Sequence, residues 1–495
     1  MDAAGTSTTL IATSVALVTV LGFACGSSSD DGAPVRDAGP DRGIIVDDRV
    51  DPLHSSVVFE PSSVVADGVA SAKIIVTLRR GDLSPAPGVH VDLSVSGNGN
   101  RLSSAAGETD KAGTFSATLA STMAETKTVS ATFAQYALKS TATFDPCRGK
   151  FSFLAPSVAM SDALHAPRAL AAADFNGDRK TDLAVVSKNI DEVRILLGNG
   201  DGTFIEGNTY ITRGGPVAIV TADFTSDGNP DLVVVNEVSG SVNLLTGKGD
   251  GTFANEYFNV SAYPAAVVAT DLNHDGRIDL AIHSGTSRST VSVLLGVGYG
   301  KFSPPTEYIV YGLAMSLASG DFNKDGATDL AAATHDSVAV LYGRSEGKFD
   351  GPYYPITDGE DFRFVATADF EGDGDTDIAI AVEYDTSNLL KGERSGTTLS
   401  SSRQPNFPRS FVTTGDFDGD GKADVLGPEH LLIGNGKGAF SEPIPLPHGN
   451  YHDNYETAAA TADFNGDGKL DVAITSDRDT SPGQLSILLN SGCVP

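Results

Sequence analysis

Tryptophan is absent from this chain of 495 residues, cysteine occurs three times, and 34 Lys and Arg face 64 Asp and Glu. Each scarcity excludes something. Without Trp the strongest stacking platform for a sugar ring is missing, which leaves Tyr and Phe for that role. A formal charge of −30 leaves no basic footprint for nucleic acid or an anionic membrane surface. Helix-favouring runs are scarce while Val, Thr, Ala, Gly and Ser abound, a composition that reads as all-β. There is no HExxH, GxSxG or P-loop pattern and no Cys/His pair at nucleophile spacing, so no compact catalytic motif is present.

What is present is repetition. Asp463 to Asp471 reads DFNGDGKLD, with oxygen-bearing side chains at its first, third, fifth and ninth positions. Six earlier copies start at Asp174, Asp223, Asp271, Asp321, Asp369 and Asp416, at intervals of 47 to 50 residues. Alternating Asp and Asn around a Gly turn can wrap a hard cation such as calcium, which takes six to eight oxygens with loose geometry. The loops are not EF-hands, since they close at the ninth position and run between strands rather than helices. The alternative is plain Asx turns. Against it, carboxylates crowded without a cation repel and perturb one another. Seven divalent ions would bring the net charge from −30 to about −16.

Residues 1–25 carry the apolar stretch Leu10–Ala24, too short to span a bilayer and suited to a signal-peptide core. Its end, Leu21-Gly22-Phe23-Ala24-Cys25, resembles the lipobox of bacterial lipoproteins, which implies lipidation of Cys25; the alternative is a plain secretory signal. The expected location is therefore exported, at a bacterial outer membrane or cell surface, or secreted. Residues 26–54 are rich in Ser, Gly, Asp and Pro and read as a flexible tether. Residues 55–146 give period-two strands at short intervals, the pattern of an immunoglobulin-like β-sandwich. The phrases ADGVASAKIIVTL, PAPGVHVDLSV and TDKAGTFSATL resemble the bacterial immunoglobulin-like domains of invasin and intimin adhesins, which implies a spacer. Arg80-Gly81-Asp82 matches an integrin-binding tripeptide and is read here as a coincidental hairpin sequence.

Residues 147–495 hold the repeats. Each unit has a strand entering the acidic loop (ALAAADF), a second leaving it (DLAVVS), a third (VRILLGNG) and a Gly-x-Phe phrase that starts a fourth. Four strands in about 48 residues make one propeller blade, and seven close a ring without free sheet edges. The fold class expected is all-β, an immunoglobulin-like sandwich followed by a seven-bladed β-propeller. The units resemble FG-GAP/VCBS repeats, the blades of integrin α-subunits and of many bacterial surface proteins.

The resemblance implies side-chain ligands at positions one, three, five and nine and a carbonyl at position seven. The first two loops would supply Asp174, Asn176, Asp178, Lys180 and Asp182, then Asp223, Thr225, Asp227, Asn229 and Asp231. The third and fourth would supply Asp271, Asn273, Asp275, Arg277 and Asp279, then Asp321, Asn323, Asp325, Ala327 and Asp329. The last three comprise Asp369, Glu371, Asp373, Asp375 and Asp377; Asp416, Asp418, Asp420, Lys422 and Asp424; and Asp463, Asn465, Asp467, Lys469 and Asp471. Arg179 replaces Gly at position six, Thr225 is a poor ligand and Glu371 a long one, so the third, fourth, sixth and seventh loops are expected to bind best. Up to seven structural calcium ions follow.

The last unit stops after its third strand, while Gly149-Lys150-Phe151 ahead of the first unit repeats the start of a fourth. The N-terminal strand should therefore complete the last blade. The same alignment places Cys147 near Cys493, and a disulfide between them would lock the ring. Residues 448–454, with Tyr263, Tyr311 and Phe362, precede first strands and mark one propeller rim, either a variable surface or a ligand face. The function expected is a calcium-stabilised surface binding or adhesion protein, not an enzyme, with a protein or polysaccharide ligand and membrane contact through the lipid alone. The alternatives are a secreted polysaccharide lyase or hydrolase and a structural envelope component.

Overall fold

The computed structural model describes residues 50–65, 71–97, 100–121, 126–134, 136–145, 150–153, 157–164, 166–286, 288–356, 362–382, 388–391, 400–403, 413–447, 458–478 and 481–494. The leader and Cys25, residues 26–49 of the tether, Cys147 and residues 448–454 lie outside the described residues. Two compact units divide between Pro146 and Cys147. Among the described residues no helix is long and apolar enough to cross a membrane.

The first unit is a two-sheet sandwich. Ser56–Glu60, Ser71–Thr77, Thr114–Ser121 and Asn100–Leu102 form one sheet; Ser63–Val65, Tyr136–Asp145, Thr126–Phe133, His90–Val95 and Ala106–Glu108 form the other. Alternation in the sequence becomes alternation in burial. Ala72, Ile74 and Val76 point inward from one sheet and meet Val129, Ala131 and Phe133 from the other in a single core.

The second unit is built from seven four-stranded antiparallel sheets. Sheet 1 comprises Pro167–Ala173, Asp182–Ser187, Glu192–Gly198 and Phe204–Ile211 in spatial order. The first strands of sheets 2 to 7 are Pro216–Ala222, Pro264–Thr270, Ala314–Gly320, Phe362–Ala368, Thr413–Gly415 and Ala459–Ala462. Each first strand touches the first strand of the next sheet, and that of sheet 7 touches that of sheet 1. This closed cycle is the arrangement of a β-propeller. Second strands such as Asp231–Asn236 are buried at every residue because a sheet packs on both faces, which is why DLVVVN reads as a continuous apolar run rather than an alternation. The innermost strand of sheet 1 is Ala-rich because the blades crowd toward the axis.

Closure joins the two ends of the unit. Ser157–Leu164 pairs with Ser481–Leu488 as the outer strand of sheet 7, and Lys150–Phe153 pairs with Asn490–Val494. Phe153 is buried and packs on Phe417, with centroids 6.4 Å apart. Two expectations shift. In sheets 3 and 6 the Gly-x-Phe phrase forms only a short hairpin, and the fourth strands start later, at Thr306 and Ile444. Phe362 does not reach the rim: it opens the first strand of sheet 5 and is fully buried. Cys493 lies in the closing strand with its backbone opposite Phe151; its partner Cys147 lies outside the described residues.

Candidate metal loops

All seven acidic loops occupy the same place, the turn from first to second strand. Their backbone is fixed by their own carboxylates. In the seventh loop Asp463 Oδ1 accepts from Gly466 and Asp467 N–H (2.7 and 3.1 Å), and Oδ2 from Gly468 N–H (2.7 Å). Asn465 Oδ1 accepts from Asp467 N–H at 2.9 Å and Asp467 Oδ1 from Lys469 N–H at 3.0 Å. The first, third, fourth and sixth loops repeat this pattern with small omissions. Oxygens at positions one, three and five thus turn inward over the loop.

The left-handed conformation appears twice per loop. Position six is left-handed throughout, including Arg179 at φ 65°. Position four is left-handed as well, and there the second, third and fourth loops place Ser226, His274 and Lys324 at φ 56° to 60°, where an L side chain is strained. The sequence reading recognised only the sixth position.

Position nine has a different job. Its carboxylate is buried in every loop. Oδ2 accepts the N–H of position two, as from Phe175 to Asp182 and from Phe464 to Asp471, both at 2.9 Å, except in the second loop, where position three, Thr225, donates to Asp231 at 3.0 Å. Oδ1 accepts the N–H that ends the third strand: Gly198, Gly247, Gly296, Gly343, Gly434 or Asn490, at 2.6 to 2.8 Å. Those strand-ending glycines were not singled out from sequence. Glycine is required because a Cβ at Gly343 would collide with the Thr328 carbonyl, and one at Gly198 with that of Thr181. The signal was visible as the last letter of VRILLG, VNLLTG and VAVLYG.

Among the described residues, one carboxylate set gathers tightly: Asp416, Asp418 and Asp420 each offer an oxygen within 4.8 Å of the others. In the same loop Asp424, at position nine, accepts from Phe417 and Gly434 N–H. Electrostatics bear the mark of crowding. Burial, then the Asp418 charge, pushes Asp424 up to about 8; burial, then Asp420 and Asp416, pushes Asp418 up to about 7. Burial raises Asp329 and Asp471 to about 7 and Asp182 and Asp279 to about 6. An all-oxygen donor set of crowded carboxylates fits a hard divalent cation, which would supply positive charge to the cluster and hold positions one, three and five together.

Among the described residues, four loops are roofed by a hairpin of the neighbouring sheet. The hairpin between third and fourth strands of one sheet donates to the position-two carbonyl of the sheet before it: Gly251 to Phe175, Gly300 to Phe224, Gly438 to Phe370 and, across the closure, Gly202 to Phe464, at 2.9 to 3.1 Å. The Gly-x-Phe ring stacks edge-on against the same position-two Phe, as in Phe175–Phe253 and Phe204–Phe464. In the first unit, Arg80 Nη1 donates to the Pro85 carbonyl (2.8 Å) and Asp82 accepts from Ser84 N–H and Oγ, so both charged groups of the Arg-Gly-Asp hairpin are engaged locally.

A ring of four-stranded sheets with an acidic turn in each, preceded by a sandwich, defines a β-propeller protein. Comparison with known families refines the class. Residues 54–145 match the bacterial Ig-like domain (group 1). Residues 174–234, 223–282, 271–332 and 321–380 match the FG-GAP-like repeat, and residues 457–488 the FG-GAP repeat. The chain carries a bacterial Ig-like domain followed by FG-GAP-like repeats. A search of curated proteins finds no match. Among solved structures, BBS1N in complex with ARL6DN is similar at 11% identity, covering 70% of this chain and 100% of that one with a TM-score of 0.47. An Agrocybe aegerita lectin recognising non-reducing terminal N-acetylglucosamine is similar at 15% identity, covering 74% and 96%, with a TM-score of 0.42. Chaetomium thermophilum Raptor is similar at 11% identity, covering 69% and 30%, with a TM-score of 0.45. At these scores the likenesses carry no argument; the fold rests on the sheet topology and the family matches.

Proposed function

We propose that this chain is an exported, lipid-anchored binding protein whose propeller is stiffened by calcium and presents the end opposite its acidic loops to a protein or polysaccharide. The observation that carries the reading is the same oxygen-lined turn in all seven sheets, with Asp416, Asp418 and Asp420 gathered within 4.8 Å in the sixth. Calcium is structural in this reading, with the modest affinity of extracellular modules, ~10⁻⁴–10⁻³ M. Antiparallel order puts the acidic turns and the Gly-x-Phe hairpins at one end of each sheet. The other end carries exposed apolar side chains, Val238 (73%), Ile211 and Tyr311 (63%) and Tyr263 (56%), suited to contact with a ligand.

The test is binding of the full chain to glycan and matrix-protein arrays in millimolar calcium and in EDTA. Calcium-dependent capture of one ligand class is expected. Absence of binding in both conditions rejects the reading, and turnover of an acidic polysaccharide replaces it with an enzyme.

A further inference from the structure

The loops differ in how their negative charge is countered. At position seven, Lys180, Arg277 and Lys469 turn back to the position-five carboxylate of their own loop, at 3.7, 2.9 and 3.4 Å from Asp178, Asp275 and Asp467. Lys422 does the same to Asp420. The fifth loop reverses the sign: its position seven is Asp375, one of five carboxylates among Asp369, Glu371, Asp373, Asp375 and Asp377. Asp375 is also 4% exposed, so its charge cannot be left to water.

The missing cation comes from the neighbouring sheet. Lys324, position four of the fourth loop, donates from Nζ to the Asp373 carbonyl at 2.8 Å. The same ammonium lies 2.7 Å from Asp375 Oδ1, an oxygen that accepts no hydrogen bond. This is an ion contact without donor alignment. Beside it, Thr376 N–H donates to the Asp321 carbonyl at 3.2 Å, so the fourth and fifth loops touch directly. Lys324 holds a left-handed backbone, φ 56°, at a position where the first, fifth, sixth and seventh loops have glycine.

We propose that Lys324 is a tethered counter-cation that sets the cation affinity of the fifth loop, making it the last loop to fill. The inference rests on the calcium reading above. The ammonium occupies the position-five and position-seven side of the fifth loop, neutralises Asp375 when no metal is bound, and repels an incoming divalent ion.

The test is a calorimetric calcium titration of the full chain and of Lys324→Met, Asp375→Asn and the double variant. Lys324→Met is expected to tighten the weakest class of sites about tenfold, with the number of ions bound unchanged. The double variant is expected to bind tighter than Asp375→Asn by a similar factor; that pair leaves no unpaired carboxylate at position 375, so a folding defect cannot imitate the result. Unchanged or weaker binding in both comparisons overturns the proposal. A parent chain that binds no calcium overturns the calcium reading itself.

Discussion

His283 offers a test of the joint between sheets 3 and 4 that is independent of any metal. The imidazole is completely buried; Nε2 lies 3.1 Å from Ser289 Oγ and Nδ1 3.4 Å from the Ser316 carbonyl of the next sheet. Burial outweighs the Ser316 hydrogen bond and lowers its pKa from 6.5 to about 4. The unfolded chain therefore binds more protons than the folded one between these values. Stability is full above pH 6.5 and falls as pH drops through 4. A displacement of this size corresponds to about 3 kcal/mol, most of it lost between pH 7.5 and 4.5. His283→Val places there the side chain that sheets 1 and 2 carry at the same register, Val186 and Val235. Urea unfolding of both proteins from pH 7.5 to 4.5, compared as a difference, cancels the carboxylates common to both. The variant should gain about 2–3 kcal/mol on the parent over that range. Parallel curves, within about 0.5 kcal/mol, would refute a buried neutral imidazole at this joint.

Other consequences are open to measurement. In EDTA the thermal midpoint of the propeller should fall as pH rises from 5 to 8. Asp329, Asp471 and Asp424 have folded pKa values of about 7, 7 and 8, above the unfolded 3.8, so their stabilisation is lost as they ionise. Millimolar calcium should abolish that fall, and a fall equal in both buffers would count against cation binding. Gly343→Ala should cost about 1–3 kcal/mol in urea unfolding through collision with the Thr328 carbonyl, although its φ is not positive. Phe153→Ala should cost about 3 kcal/mol, because the ring is buried at the closing joint against Phe417. A loss under 1 kcal/mol would mean the closing strand contributes little.

The repeat architecture was legible because its determinants are local. The acidic turn dictates its own backbone, and strands such as Asp231–Asn236 announce burial through unbroken apolar runs. What escaped was set by neighbours in space. The Gly that ends VAVLYG is visible as a repeated letter, but its cause, the Thr328 carbonyl that excludes a Cβ at Gly343, is not. Nothing in Lys150–Phe153 alone reveals that Phe153 meets Phe417, because the bulge between Ser152 and Phe153 is set by pairing with Asn490–Val494. Phe362 was expected at a rim by its distance from the acidic loop, yet packing between sheets 4 and 5 buries it. Nothing around Lys324 in the sequence reveals that the next sheet places Asp375 beside its ammonium.

The sixth loop gathers these threads at one place in the ring. Its position-two residue, Phe417, lies at the joint with sheet 7, where the two end strands of the second unit, Lys150–Phe153 and Asn490–Val494, meet. The roof there is not a Gly-x-Phe hairpin: Asn490 Nδ2 donates to the Phe417 carbonyl at 2.8 Å, and Phe153 from the N-terminal strand supplies the ring. The same turn holds the clustered carboxylates Asp416, Asp418 and Asp420. The cluster lies in the turn on which both terminal strands bear, and Lys422 offsets its charge through Asp420. A cation in the sixth loop would offset the remaining charge and brace the closure together. By this reasoning calcium should protect the terminal strands from hydrogen exchange more than it protects the centres of sheets 1 to 3.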